Sequence, residues 1–211
     1  MSNFEELSKS VIAGKMNDVI SATQNLIDGG NNPLKIINEG LIAGMNVVGV
    51  RFKNGDMFVP EVLMAAKAMG AGIELVKPLI ADNDMPSSGK IVLGTVKGDL
   101  HDIGKNLVGM MLESGGFTVV NLGIDIAPEQ FIKAIKEHNP DVVAMSALLT
   151  TTMLHMRDTI ELIKEEGLKD KVMVIIGGAP ISQDFASEIG ADGFAPDAAS
   201  AVDLCKQLIG K

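Results

Sequence analysis

Residues 90–113 read "KIVLGTVKGDLHDIGKNLVGMMLE". The first seven form an apolar run, within which Ile91–Val96 predicts a buried strand. A helix is expected from about Ile103 to Glu113. The loop between them holds His101, one of three histidines in the chain, with Asp99 before it and Asp102 after it. A strand that passes through a short polar loop into a helix is half of a strand–helix–strand unit. Whether that unit repeats decides the fold.

It repeats to the end of the chain. Thr118–Leu122 is followed by a helix from Pro128, and Val142–Ser146 by one from about Thr151. Val172–Ile176 precedes a helix from about Ser182, and a short Gly193–Ala195 strand precedes a last helix to Ile209. Near-continuous apolar strands alternating with helices predict a parallel sheet covered on both faces. Five units fit a flavodoxin-like (Rossmann-like), doubly wound sheet; a barrel would need more repeats. Ligands of such sheets bind at the carboxyl ends of the strands, where the strand order reverses. "GDLHDIG" (98–104), "SALLTTT" (146–152) and "GGAP" (177–180) fall on those ends.

The first 80 residues carry helical signals only. "SNFE" resembles a capping box opened by Ser2. A second helix, from about Asn17 to Ile27, stops at Gly29-Gly30, and a third starts at Asn32-Pro33 and runs to about Val50. A fourth starts near Pro60. These predict a four-helix bundle over residues 1–85. "ADNDMPSSGK" (81–90) reads as the linker to the α/β domain, 86–211.

Composition narrows the function classes. The 211 residues carry 18 basic and 27 acidic side chains, net −9, with no basic run, so a nucleic-acid partner is disfavoured. The polar N-terminus is no signal peptide, and no apolar stretch is long enough to span a bilayer. A soluble cytoplasmic protein without membrane partners is expected. The single cysteine, Cys205, excludes an internal disulfide and a cysteine-based zinc site.

His101 is the candidate reactive group. Asp99 is placed to accept a hydrogen bond from one ring nitrogen, fixing the tautomer and freeing the other nitrogen for a metal. Gly104, opening the next helix, lets a bulky ligand approach the backbone. A His–Asp pair also suits general-base catalysis, so the pairing does not choose between the two. Asp102 favours the start of the following helix. His138 and His155 read as structural, which leaves a metal at His101 short of ligands. One protein ligand suffices if a macrocycle already holds the metal and leaves one axial position open. Ser146 lies in no G-x-S-x-G elbow, and neither a G-x-G-x-x-G turn nor a Walker A loop is present.

"DLHDIG", "SALLT" and "GGAP" together, at this spacing, resemble the signature of cobalamin-binding domains. "VVGVRFKNGDMFVPEVLMAAKAM" (47–69) is similar to the cap segment of methyl-carrying corrinoid proteins and of cobalamin-dependent methionine synthase. The resemblance implies a bound cobalamin or related corrinoid in the base-off form. Its nucleotide arm would leave the cobalt, and His101 would replace it as lower axial ligand. Asp99 would be the hydrogen-bond partner of His101, and Thr152 would complete the relay where the methionine synthase relatives carry serine. Gly123, Ser146, Ala147, Gly177 and Gly178 would leave a slot for the arm. Ser146 and Leu148 would line it, and Thr150 would hydrogen-bond near the relay. Phe52 and Val59 would cover the upper corrin face; methionine synthase has leucine at the second position.

The function so implied is methyl carrying. Cobalt(I) would accept a methyl group through a substrate-specific methyltransferase, and methyl-cobalt(III) would deliver it to a second methyltransferase with a thiol or pterin acceptor. A reductive activase would restore the reduced cobalt. Such a chain is a subunit of a multi-component system rather than a stand-alone catalyst. Two alternatives share the signature: the cobalamin subunit of an adenosylcobalamin mutase, and a cobalamin-based sensor. The mutase would need a large barrel partner and has no use for the Phe52 cap. The sensor would add a basic DNA-binding module.

Overall fold

The structure, a computed structural model, describes residues 3–80 and 87–210. Ser2, read above as an N-cap, and residues 81–86 of the expected linker lie outside them. The chain divides into a helical unit, Met1–Ser87 together with Ser114–Gly116, and an α/β unit made of Ser88–Glu113 and Phe117–Lys211.

The helical unit follows its local signals. Helix α1 spans Asn3–Ile12 and α2 Met16–Asp28; α2 gives out at Gly29 and Gly30. Asn32 caps the next helix through its side chain, which accepts from the Leu34 and Lys35 amides, and Pro33 fills the first helical position. That helix is one continuous run of three segments: α3 (Pro33–Lys35), a π segment over Ile36–Ile42, and α4 (Ala43–Lys53). It therefore runs past the expected end at Val50, and the sequence gives no sign of the wider π turns. Helix α5 (Val59–Val76) opens with Glu61 accepting from the Phe58 amide, which satisfies one free N–H of its first turn. Leu7, Val19, Leu41, Val62 and Met69 form the core of the unit.

In the α/β unit, β1 (Lys90–Val96), β2 (Thr118–Ile126), β3 (Val142–Ser146), β4 (Met173–Gly177) and β5 (Gly193–Phe194) form one parallel sheet. Its order is β2-β1-β3-β4-β5, the doubly wound arrangement expected, with the reversal between β1 and β3. Both faces of β1 and β3 are buried, as parallel strands require. The helices are α6 (Ile103–Ser114), α7 (Pro128–His138), α8 (Leu154–Glu165), α9 (Gln183–Ile189) and α10 (Ala198–Ile209). On one face Val92, Met145 and Ile176 pack with Phe131 of α7 and with Met156 and Ile160 of α8. Burying such side chains stabilises the unit by roughly 1.5–3 kcal/mol each.

Three departures from expectation lie at the carboxyl ends. β2 continues past Leu122 to Ile126, because two register shifts against β1 absorb its irregular backbone. α8 starts at Leu154 rather than Thr151, because the chain first turns to bring Thr152 back toward β1. β4 is displaced by one residue, to Met173–Gly177. Register across the sheet aligns Thr95, Ser146 and Gly177 in one row at this edge. Among the described residues, no helix is long and apolar enough to cross a membrane.

Candidate functional site

Past Val96 the chain turns tightly, with Gly98 at φ 75° and the Asp99 amide donating to Val96 O. This turn buries the Asp99 side chain completely. A buried carboxylate is costly unless its oxygens are satisfied, and here both are. Oδ1 accepts from the His101 amide at 3.0 Å and from His101 Nδ1 at 2.7 Å. Oδ2 accepts from the Leu148 amide and from Thr152 Oγ1, each at 2.7 Å. Burial by itself would raise the Asp99 pKa. The Leu148 amide, Thr152 and the two His101 donors outweigh it and hold the carboxyl below the ordinary carboxylate range.

An ionised carboxylate only accepts hydrogen bonds, so His101 Nδ1 must carry the proton in this pair. In the neutral ring the lone pair then sits on Nε2. His101 Nε2 has no hydrogen-bond partner among the described residues, and the ring is about half exposed, at 52%. The main chain of His101 is fixed as well, since Thr95 Oγ1, itself buried, donates to its carbonyl at 3.0 Å. The result is an oriented imidazole with its free nitrogen directed away from its anchor. Thr152 Oγ1 lies near two acceptors, Asp99 Oδ2 and Leu149 O at 3.1 Å. Its one proton favours the shorter bond to the charged oxygen.

The surroundings are apolar and open. Leu100 and Ile103 flank His101 at 68% and 80% exposure, and Ile124, Leu148, Leu149 and Leu154 are exposed at the same edge of the sheet. Side chains of this kind normally seek cover, so the edge suits a large, partly apolar ligand. Gly104 has no atoms near the place of a side chain, and the same holds at Gly123, where φ is 95°. Gly178 differs: at φ 132° a Cβ would stand 1.8 Å from Ala147 O. The chain itself needs glycine there, because the ends of β3 and β4 meet through the bond from the Ala147 amide to Gly177 O. At Gly177 a Cβ would meet Ala195 O at 2.9 Å.

The α/β unit thus brings together Asp99, His101, Leu148 and Thr152. Ser146 and Ala147 lead into this group from β3. Thr150, expected to hydrogen-bond near the relay, is exposed and makes none of the four bonds to Asp99. Phe52, in the last turn of α4, and Val59, the first residue of α5, are half-buried members of the helical unit. The exposed aromatic there is Phe58, at 68%, to which the sequence assigns no role. Asp102 precedes α6 and accepts from Asn106 Nδ2. His155 pairs with Asp158, and His138 O accepts from Lys90 Nζ.

Sequence reasoning missed Thr95, the Leu148 amide, and Asp125, whose carboxylate accepts from the Gly98 amide. Main-chain donors leave no mark on residue type. Among the described residues, no group of three or more His, Cys, Asp or Glu side chains could hold a metal ion. A metal at His101 must therefore bring its other ligands with it, and the donor set fits a macrocyclic complex with one open axial position.

Comparison with known proteins agrees with that chemistry. Residues 89–203 match the B12 binding domain family, and residues 4–77 match a second B12 binding domain model. A corrinoid protein of Desulfitobacterium hafniense (strain Y51) is 44% identical over 214 residues, covering 100% of this chain and 99% of that one. Dimethylamine corrinoid protein 1 of Methanosarcina acetivorans is 48% identical over 206 residues, 97% and 96% of the two chains. Among solved structures, the methanol:cobalamin methyltransferase complex of Methanosarcina barkeri contains a chain with a TM-score of 0.88 and 32% identity. That match covers 99% of this chain and 80% of the other.

Proposed function

The chain belongs to the B12-binding corrinoid proteins of methyltransferase systems, and from that premise we propose that it carries methyl groups on a corrinoid whose lower axial position is filled by His101. The observation that carries the reading is the His101 ring: Nδ1 committed to a buried carboxylate, Nε2 bearing a lone pair into an open, apolar edge. When bound, the corrinoid supplies a cobalt that takes a methyl group from one partner and yields it to another. Everything else is done by side chains of this protein. Asp99 holds the Nδ1 proton and so keeps Nε2 available. Thr152 and the Leu148 amide hold Asp99, and Thr95 holds the main chain of His101.

Gly104 and Gly123 leave backbone open to a close-lying ligand, and Ser146 and Leu148 border the path proposed for the nucleotide arm of a base-off corrinoid. Gly177 and Gly178 keep the neighbouring strand ends thin. Phe52 and Val59 are proposed as upper-face residues on the strength of the sequence resemblance alone. The methyl donor would be presented by a separate methyltransferase and the acceptor by a second one, with a reductive activase restoring the reduced cobalt. The full-length similarity to a dimethylamine corrinoid protein favours this reading over a mutase subunit or a sensor, and it points to methylated amines as the first donors to test.

The experiment is a transfer assay. The reduced, corrinoid-loaded protein is incubated with a methylamine-, methanol- or betaine-type methyltransferase and ¹⁴C-methyl donor, then with a thiol-dependent acceptor enzyme. Label that first travels with this protein and then moves to the thiol supports methyl carrying. Label that never associates with it, under any donor, refutes it.

A further inference from the structure

Taking the His101 reading as its basis, we propose that Asp125 is a positioning residue: it fixes the loop that carries His101 from the side of β2. Two non-glycine residues among those described have a positive φ, Asn139 at 45° and Asp125 at 55°. Asn139 is explained by its place as the left-handed cap of α7. Asp125 ends no helix. It lies inside β2, one residue before its last, where a left-handed backbone costs free energy that the surroundings must offset.

The compensation is visible. The left-handed turn presents both the amide and the carboxylate of Asp125 to the same two residues of the neighbouring loop. Asp125 Oδ1 accepts from the Gly98 amide at 2.7 Å, and the Asp125 amide donates to Asp99 O at 3.1 Å. Asp99 is thereby held on two sides. Its main chain is held from β2, and its carboxylate is held by Leu148 and Thr152, past the end of β3. His101 follows two residues later and takes its orientation from Asp99.

The stretch of β2 that carries Asp125 is itself anchored. Asn121 Oδ1 accepts from Lys105 Nζ at 2.7 Å and from the Gly123 amide at 3.0 Å. Lys105 is buried in α6, just after His101. The irregular end of β2, with its two register shifts, is thus tied to the chain both before His101, at Gly98, and after it, at Lys105. Strand irregularities beside sites commonly re-aim a group in this way.

Three variants separate the carboxylate from the backbone geometry. Asp125→Asn keeps an acceptor and tolerates the left-handed conformation; Asp125→Ala loses the acceptor and keeps the strain; Asp125→Gly loses the acceptor and relieves the strain. In the ligand-free protein, hydrogen exchange at the Gly98 amide and the ¹⁵N shifts of the His101 ring are read, with the thermal midpoint as a control for folding. Asp125→Gly is expected to speed Gly98 exchange by roughly tenfold and to mix the two ring tautomers, with Asp125→Asn close to the parent. A glycine variant matching the parent in both readouts, or an asparagine variant as impaired as glycine, overturns the proposal. Neither readout involves a corrinoid, so a failure here is distinct from a failure of the axial-ligand reading, which cobalt spectroscopy tests separately.

Discussion

Asp99 and Thr152 lie 53 positions apart in the chain and meet at 2.7 Å, hydroxyl to carboxylate, with the carboxylate fully buried. That bond joins the loop after β1 to the turn before α8, and it is one of four that keep Asp99 ionised inside the protein. Thr152→Val removes one donor and leaves the buried Asp99 Oδ2 with the Leu148 amide alone. It is expected to cost about 1.5–3 kcal/mol in denaturant unfolding, the usual value for a hydrogen bond to a charged group. Thr152→Ser keeps the hydroxyl and should lose less than about 1 kcal/mol, the burial of one methyl. Equal losses for the two variants would contradict the relay.

Glycine is needed at Gly178 and Gly123 for different reasons, and alanine separates them. At Gly178 a Cβ would collide with the Ala147 carbonyl, so Gly178→Ala should destabilise by more than about 3 kcal/mol or prevent folding. At Gly123 the space is open and only φ is unfavourable, so Gly123→Ala should cost roughly 1–2 kcal/mol. Denaturation midpoints that rank the pair the other way would show the packing at the end of β3 to be wrong.

Much of this was legible beforehand. The order of strands and helices follows from the alternation of β-branched runs with helical stretches, and the Asp99–His101 pair from two residues at a fixed spacing. What escaped was written in the backbone. The Leu148 amide serves Asp99 whatever side chain residue 148 carries, and the π segment at Ile36–Ile42 has an ordinary helical sequence. Thr150 illustrates the converse. Its hydroxyl suggested a hydrogen bond near the relay, but the turn before α8 leaves Thr150 exposed and directs Thr152 inward. Asp125 went unread because nothing local marks an aspartate that takes a left-handed conformation within a strand.

Thr23, inside the helical unit, is fully buried, and its hydroxyl has no hydrogen-bond partner among the described residues. An unpaired buried hydroxyl is destabilising, and valine has nearly the same shape. Thr23→Val should therefore raise stability by about 1–2 kcal/mol. An unfolding midpoint that stays the same or falls would mean the hydroxyl is satisfied in solution.

Cys205 is buried in α10, and burial pushes its thiol up to about 12 from an ordinary value of 9.0. The folded state therefore favours the neutral thiol. Its contribution to stability is complete below pH 9 and is lost as pH rises from there toward 12, because the unfolded chain ionises first. At pH 8 a thiol reagent should leave the native protein unmodified and label one group per chain in denaturant. Rapid labelling of the native protein would contradict the burial.

The most direct test of the account is the electron paramagnetic resonance spectrum of the cob(II)alamin-loaded protein, prepared with natural-abundance and with ¹⁵N-labelled histidine. If His101 Nε2 is the lower ligand, each cobalt line is split into three by ¹⁴N and into two when histidine is labelled, and His101→Ala abolishes the histidine-dependent splitting. A splitting that ignores the histidine label would show that the corrinoid keeps its own base, and the axial role assigned to His101 would be wrong.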